Sequence, residues 1–241
     1  MRKVITLIML LLMTLIFALP SFGAERRENT APGAGVENLQ GQAIQRMAMA
    51  NRLIELGRSQ KSPLMLASAA QILRDVRLSE EAHERAGVEI ISFPERATSY
   101  ESNKESDSRD VTSESLYAEA IAMAKEAGDP VLVEIIEKDS RIGASKASVV
   151  GPRTGSNRLR AYTNDTYYVR FRGGERAWIR VVGDGDPTAV FVYDEYSNLV
   201  AKDDDWHTIS EVSWTPRWTG DFAIIVKNRI GVYVDYTLVT N

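Results

Sequence analysis

The sequence predicts an α+β multi-domain chain in which N-terminal helical hairpins precede an antiparallel, jelly-roll-like β-sandwich. Three observations carry that prediction. Apolar residues recur at steps of three and four up to about residue 140. They alternate with a period of two from about residue 160 onward. Between the two regimes, "GASKASVVGPRTGSN" has the composition of a linker. The expected division is 1–24 signal peptide, 25–37 flexible lead-in, 38–143 helical hairpin domain with a mobile insertion at 98–115, 144–157 linker and 158–241 sandwich.

The N-terminus sets the expected compartment. "MRK" supplies a positive start, "VITLIMLLLMTLIFAL" an apolar run, and "PSFGA" a small-residue exit, with a cut after Gly23 or Ala24. The alternative is a retained anchor, because the run approaches spanning length. No later apolar stretch is that long, so no membrane span is expected after cleavage and the protein is expected in the periplasm or outside the cell. The chain has no cysteine, which excludes thiol nucleophiles, thiolate zinc sites, disulfides and a lipidated N-terminal cysteine. Its formal charge is −4, and no basic excess points to nucleic acid.

The helices follow from spacing. Ala43, Met47, Ala50 and Ile54 share a face, with Gly57 as an expected stop. Pro63 suits a first helical turn, and Leu66, Ala69, Ala70, Leu73 and Val76 line the helix after it. The order repeats: Leu116, Ala120, Met123 and Ala127 share a face, Gly128 ends it, Pro130 opens the next helix, and Leu132, Ile135 and Ile136 line that one. A helix, glycine, loop, proline, helix order that occurs twice resembles hairpins of the tetratricopeptide type, and a compact four-helix unit is the other reading. Between the hairpins, "TSYESNKESDSRDVTSES" is too polar to offset its ordering entropy and reads as mobile, preceded by a short apolar element at "VEIISF".

In the C-terminal half, Tyr167, Val169 and Phe171 alternate with polar neighbours, Gly173 and Gly174 turn the chain, and Ala177, Ile179 and Val181 alternate again, which predicts a hairpin. Further strands are expected at 189–193, 210–214, 221–227 and 232–240. The motifs "GDGD", "VYD", "LVAKDDD", "VSWTPRWTGDF", "VKN" and a closing Y-x-L-x-T-N follow in that order, and residues Tyr162 to Asn241 thereby resemble the bacterial pre-peptidase C-terminal domain. The resemblance implies a β-sandwich accessory to secreted enzymes that serves binding, secretion or stability. Some members of that family hold calcium through acidic residues on the first of these strands, where an Asp-Leu-Asp pattern is usual; this chain has "PTAV" there and lacks those carboxylates.

The candidate site residues are few. Asp184, Asp186, Asp194, Asp203, Asp204 and Asp205 are the calcium candidates, since calcium takes six to eight oxygens, and the bland reading of the same aspartates is turn formation. Trp206 and Trp218 are the ligand candidates as aromatics at turns, whereas Trp214 is in phase with Val212 and is expected inside. The only histidines, His83 and His207, sit in no catalytic motif, and nucleophile-elbow, zincin and phosphate-loop patterns are missing from the sequence. No catalytic residue and no cofactor other than possible calcium is expected, and the chain is read as a non-enzyme.

Two functions remain in view. In one, helical hairpins hold an envelope or extracellular protein and the sandwich is an accessory. In the other, the sandwich binds glycan or calcium and the helices are a spacer. Deleting residues 25–143 is expected to abolish partner capture in the first case and to leave glycan or calcium binding intact in the second.

Overall fold

The computed structural model describes residues 27–76, 83–90, 111–142 and 151–241. The expected signal peptide, residues 98–110 of the insertion and residues 144–150 of the linker lie outside them. Among the described residues there are four helices: α1 (Leu39–Ser59), α2 (Pro63–Asp75), α3 (Ser113–Glu126) and α4 (Pro130–Ser140). Each start has a local cause. The Asn38 side chain accepts from the Gly41 amide, Thr112 and Ser115 form a reciprocal capping box, and Asp129 accepts from Leu132. Prolines occupy the first turns of α2 and α4, where a missing N–H costs nothing.

The helices pack in sequence order, α1 on α2, α2 on α3 and α3 on α4. Ala50, Ala69, Ala70, Ala120 and Ala124 are fully buried and let the helices approach, while Leu66, Leu116 and Ile136 fill the space between them. Two expectations are corrected here. Helix α1 continues past Gly57 to Ser59, because Gly57 is buried beneath Leu66 rather than turning the chain. Ile135 is 56% exposed, and its neighbour Ile136 is the residue that enters the core. Gly128, at φ +69, does terminate its hairpin turn as expected. Among the described residues, no helix is long and apolar enough to cross a membrane.

The strands are β1 (Gly87–Ile90), β2 (Arg153–Leu159), β3 (Thr163–Phe171), β4 (Ala177–Gly183), β5 (Thr188–Tyr193), β6 (Leu199–His207), β7 (Ile209–Trp214), β8 (Gly220–Lys227) and β9 (Val234–Thr240). They form a five-stranded sheet, β1-β3-β8-β5-β6, and a four-stranded sheet, β2-β9-β4-β7. The eight strands after the helices are interleaved as two Greek keys, which is jelly-roll connectivity. The core between the sheets is built from Tyr167, Ile179, Val190, Phe222, Ile224 and Leu238, among others. Trp214 lies inside, edge-on to Phe171 at 4.9 Å.

The expected hairpin of β3 and β4 does not exist. These strands belong to opposite sheets, β3 pairing with β1 and β8 and β4 with β7 and β9. Residues 172–176 carry the chain across the sandwich edge, where a Cβ at Gly173 would meet the Trp218 backbone at 2.6 Å.

The domain boundaries shift as well. Residues 27–37, expected as a flexible lead-in, lie along the sandwich. Asn29 is fully buried; its amide donates to Asp194 at 2.9 Å, and its side-chain oxygen accepts from the amides of Arg217 and Trp218 at 2.9 and 3.1 Å. The Ala31 amide donates to Thr215 O and the Gly35 amide to Thr215 Oγ1, and Val36 bridges Glu175 in parallel. These distant partners satisfy backbone groups that a polar, glycine-containing segment cannot satisfy by itself. Residues 153–157, expected as linker, are the start of β2. Strand β1, taken from between the hairpins, pairs with β3, and the short apolar element expected there is therefore a sheet strand as far as Ile90.

Helix α1 also rests on β4 and β9 of the four-stranded sheet. At that contact Trp178 Nε1 donates to Glu37 at 3.2 Å, and Asn241 Nδ2 donates to Asn38 Oδ1 at 3.1 Å. Arg180, 2% exposed, pairs with Glu211; burial holds its pKa down to about 10, against the nearby charge of Glu55, which raises it. Removal of residues 25–143 would therefore strip the sandwich of its own 29–38 and 83–90 segments, and the deletion cannot separate the two functions.

Asn29→Ala leaves the Arg217 and Trp218 amides without their acceptor at a buried position. A loss of about 2–5 kcal/mol in unfolding free energy is expected, measured from urea midpoints.

Candidate functional site

The six candidate aspartates are not gathered at one place. Asp184 and Asp186 follow β4, Asp194 follows β5, and Asp203 to Asp205 lie within edge strand β6 rather than in the turn expected for them. Asp203 sits opposite Val190 in the β5 ladder. Its carboxylate accepts from the Glu211 amide at 2.8 Å and the Asp205 amide at 3.3 Å, and so reaches from one sheet to the edge of the other. Asp204 pairs with Arg229 at 2.6 Å. A run of charge on an edge strand also discourages pairing with a foreign strand.

Asp194 accepts from the Tyr196 and Asn198 amides, the Asn198 side chain and the Asn29 amide, all at 2.8–2.9 Å. Burial works against its charge, but these hydrogen bonds outweigh burial and hold the carboxyl below its usual range. Among the described residues, no group of three or more histidine, aspartate or glutamate side chains is placed to hold a metal ion.

Sequence reasoning missed a polar seam through the sandwich. Residues 83–90 cross from β2 to β3: the His83 amide donates to Thr154 O and the Ala86 amide to Thr166 O. Behind them Asp165 is fully buried and faces Arg85 at 3.3 Å. Tyr236 OH donates to Asp165 Oδ2 at 2.7 Å, Tyr167 and Tyr236 hydroxyls share a bond at 2.5 Å, and Asn157 Nδ2 donates to Tyr167 OH at 2.8 Å.

His83 Nε2 lies 2.8 Å from Thr240 Oγ1, and its ring is edge-on to Tyr167 at 6.5 Å. Burial, with help from the Arg153 charge, lowers the His83 pKa to about 4. Burial raises both tyrosines above the usual phenol value, further for Tyr236 through its bonds to Tyr167 and Asp165. At neutral pH the imidazole is neutral, both phenols keep their protons and the carboxylate is bonded. These groups join elements from four parts of the chain. His207 ends β6, exposed and apart from this seam.

The tryptophans differ in setting. Trp206 is 48% exposed with φ +59, a left-handed conformation that a bulky L-residue rarely adopts. Trp218 Nε1 donates to Glu195 at 2.5 Å, its carbonyl accepts from Asn29, and its backbone fills the place a Cβ at Gly173 would need. Trp218 thus belongs to the corner where β7 passes to β8.

The helical half has a cleft of about 800 Å³ with Met47, Leu73 and Ile121 among its apolar walls. Its polar side is fixed: Arg74 Nη1 donates to Tyr117 OH at 3.0 Å and to Asp139 O at 2.9 Å, and Tyr117 OH donates to Asp139 Oδ2 at 2.6 Å. Burial and the Asp139 bond raise the Tyr117 pKa, so the phenol remains a donor. The only sequence signal for this cleft was polar residues set beside the apolar helix faces.

No family model matches the chain, and no curated protein matches it. Among solved structures it is similar to the pre-peptidase C-terminal domain of a collagenase from Bacillus anthracis, with 16% identity and a TM-score of 0.32, over 37% of this chain and 89% of that one. It is also similar to PliG of Aeromonas hydrophila, a periplasmic inhibitor of g-type lysozyme, with 12% identity and a TM-score of 0.31, over 42% and 91% of the two chains. A third likeness is to the carbohydrate-binding module CBM36 in complex with calcium and xylotriose, with 17% identity and a TM-score of 0.25, over 41% and 87%.

Because the folded-state pKa of His83 is below its ordinary 6.5, the unfolded chain binds a proton that the native chain refuses. Stability contributed by neutral His83 is complete above about 6.5 and falls as pH drops toward about 4. Melting temperature measured across that window is expected to decline with pH, and His83→Gln is expected to flatten the decline.

Proposed function

We propose that this is an exported, non-catalytic binding protein of the bacterial envelope or exterior, in which the helical layer holds a segment of a partner protein and the β-sandwich is the accessory body that supports it. The cleft beside α2 and α3 carries this reading. Apolar walls next to a guanidinium held in place by Tyr117 and Asp139 suit a peptide segment with an apolar side chain and an acidic or carbonyl group. The order of packing, each helix on its sequence neighbour, supports a hairpin-repeat use of that surface.

Two further points support the reading. The N-terminal order of basic residues, apolar run and small residues supports export. The chemistry expected of a catalyst is otherwise engaged: His83 is neutral, half-buried and bonded to Thr240, Asp165 is bonded to Tyr236 and paired with Arg85, and Asp203 binds a strand amide.

The test places a photoreactive residue at Ala118, an exposed position on the cleft, and in a second protein at Met49 on the exposed side of α1. Irradiation in cells is expected to give a discrete protein adduct from position 118 and none of that mass from position 49. Identical patterns from both positions, or no adduct from 118, would contradict the proposal.

A further inference from the structure

The two faces of the sandwich are treated differently. The four-stranded sheet receives α1 on β4 and β9, whereas Tyr168 on the outer side of the five-stranded sheet is 69% exposed. Register defines what stands beside it. Ala223 on β8 lies opposite Tyr168 on β3 and also opposite Tyr193 on β5, and Tyr193 lies opposite Leu199 on β6. Residues directly opposite in an antiparallel ladder point to the same side, so Tyr168, Ala223, Tyr193 and Leu199 form one row across four strands. Two strand steps put the tyrosines about 9–10 Å apart, with only a methyl group between them.

The adjacent row holds Ile225, Phe191 and Lys202. The Lys227 ammonium lies 4.1 Å from the Phe191 ring centre and the Arg229 guanidinium 5.5 Å from it. Among the described side chains along these rows and their margins, the charged groups are Arg170, Lys202, Lys227 and Arg229 against Asp204 and Asp221. Arg170 pairs with Asp221 at 3.2 Å and Arg229 with Asp204 at 2.6 Å. The described side chains of this face thus carry more positive than negative charge, on a chain whose formal charge is −4.

We propose that this outer face binds an anionic polysaccharide, which crosses the strands with sugar rings on Tyr168 and Tyr193 and acid groups toward Lys202 and the Lys227–Arg229 end. The spacing of the two rings accommodates two linked sugars, and Ala223 keeps the path between them open. Charge sets the class: carboxylated or sulfated sugars complement the face, whereas neutral sugars use only its rings. The row is one side chain wide, with polar, ion-paired margins, which favours a narrow extended chain over a bulky protein surface. This site lies on the opposite sheet from the one that carries the helices, and it does not depend on the cleft proposed for a partner protein.

Calorimetry of the full mature chain, in EDTA so that calcium cannot bridge sugar acids, tests it with hexagalacturonate, a heparin-derived hexasaccharide and neutral cellohexaose. Saturable binding of at least one acidic hexasaccharide is expected, about ten-fold tighter than cellohexaose. Tyr168→Ala is expected to weaken it about ten-fold at unchanged melting temperature, since the side chain is exposed. Lys202→Glu is expected to weaken it and to reduce its salt dependence. Absence of binding to both acidic sugars, equal affinity for cellohexaose, or affinity unmoved by Tyr168→Ala would overturn the proposal. Binding confined to phosphatidylglycerol vesicles would overturn it in favour of a lipid surface.

Discussion

The fold depends on a joint centred on Asn29. This single residue connects the turn after β5, through Asp194, to the corner between β7 and β8, through Arg217 and Trp218. Those two loops meet at one end of the sandwich, and each offers polar backbone groups that need partners once water is excluded. Asn29 suits the role because its side chain both donates and accepts while its own amide donates as well. The Asp194 carboxylate is held ionised by the same network, so turn and joint are mutually dependent.

From that joint the rest of the arrangement follows. Residues 31–36 continue along Thr215 and Gly174, which brings the chain to the cap of α1 beside Glu175 and Asn241. The helical layer thus begins already attached to the sandwich, and the burial of Arg180 and the Trp178–Glu37 bond extend the contact across the four-stranded sheet. Residues 83–90 return to the sandwich and cover Asp165 and the tyrosine pair. The helices and the sandwich are consequently interleaved rather than strung in series. One sheet is committed to support and the other faces outward.

How much of this was legible depends on what periodicity encodes. The helices and most strands could be read because one face of each is apolar, and Trp214 was placed correctly by its phase with Val212. Strand pairing could not be read in the same way. In this connectivity β3 and β4 alternate as a hairpin would, yet occupy different sheets, and alternation says only which side chains point inward. Adjacent Ile135 and Ile136 in a short helix left the inward choice open by one residue. Residues 27–37 have no period of their own, since their order comes from hydrogen bonds to residues more than a hundred positions away. The polar seam was hidden because Tyr167 and Tyr236 occupy inward positions like any core residue, and their hydroxyl partners lie 69 and 71 residues apart in sequence. The aspartate run looked like a turn by composition, but its neighbours in space make it an edge strand.

Residues 29–36 thus belong to the cooperative core of the sandwich. Native-state hydrogen exchange of the intact chain tests it most directly, by comparing the Asn29, Ala31 and Val36 amides with strand amides of β3 and β8. The three N-terminal amides are expected to open with the same free energy as the strands. Exchange of those three at the rate of an unstructured peptide, while β3 and β8 stay protected, would contradict it.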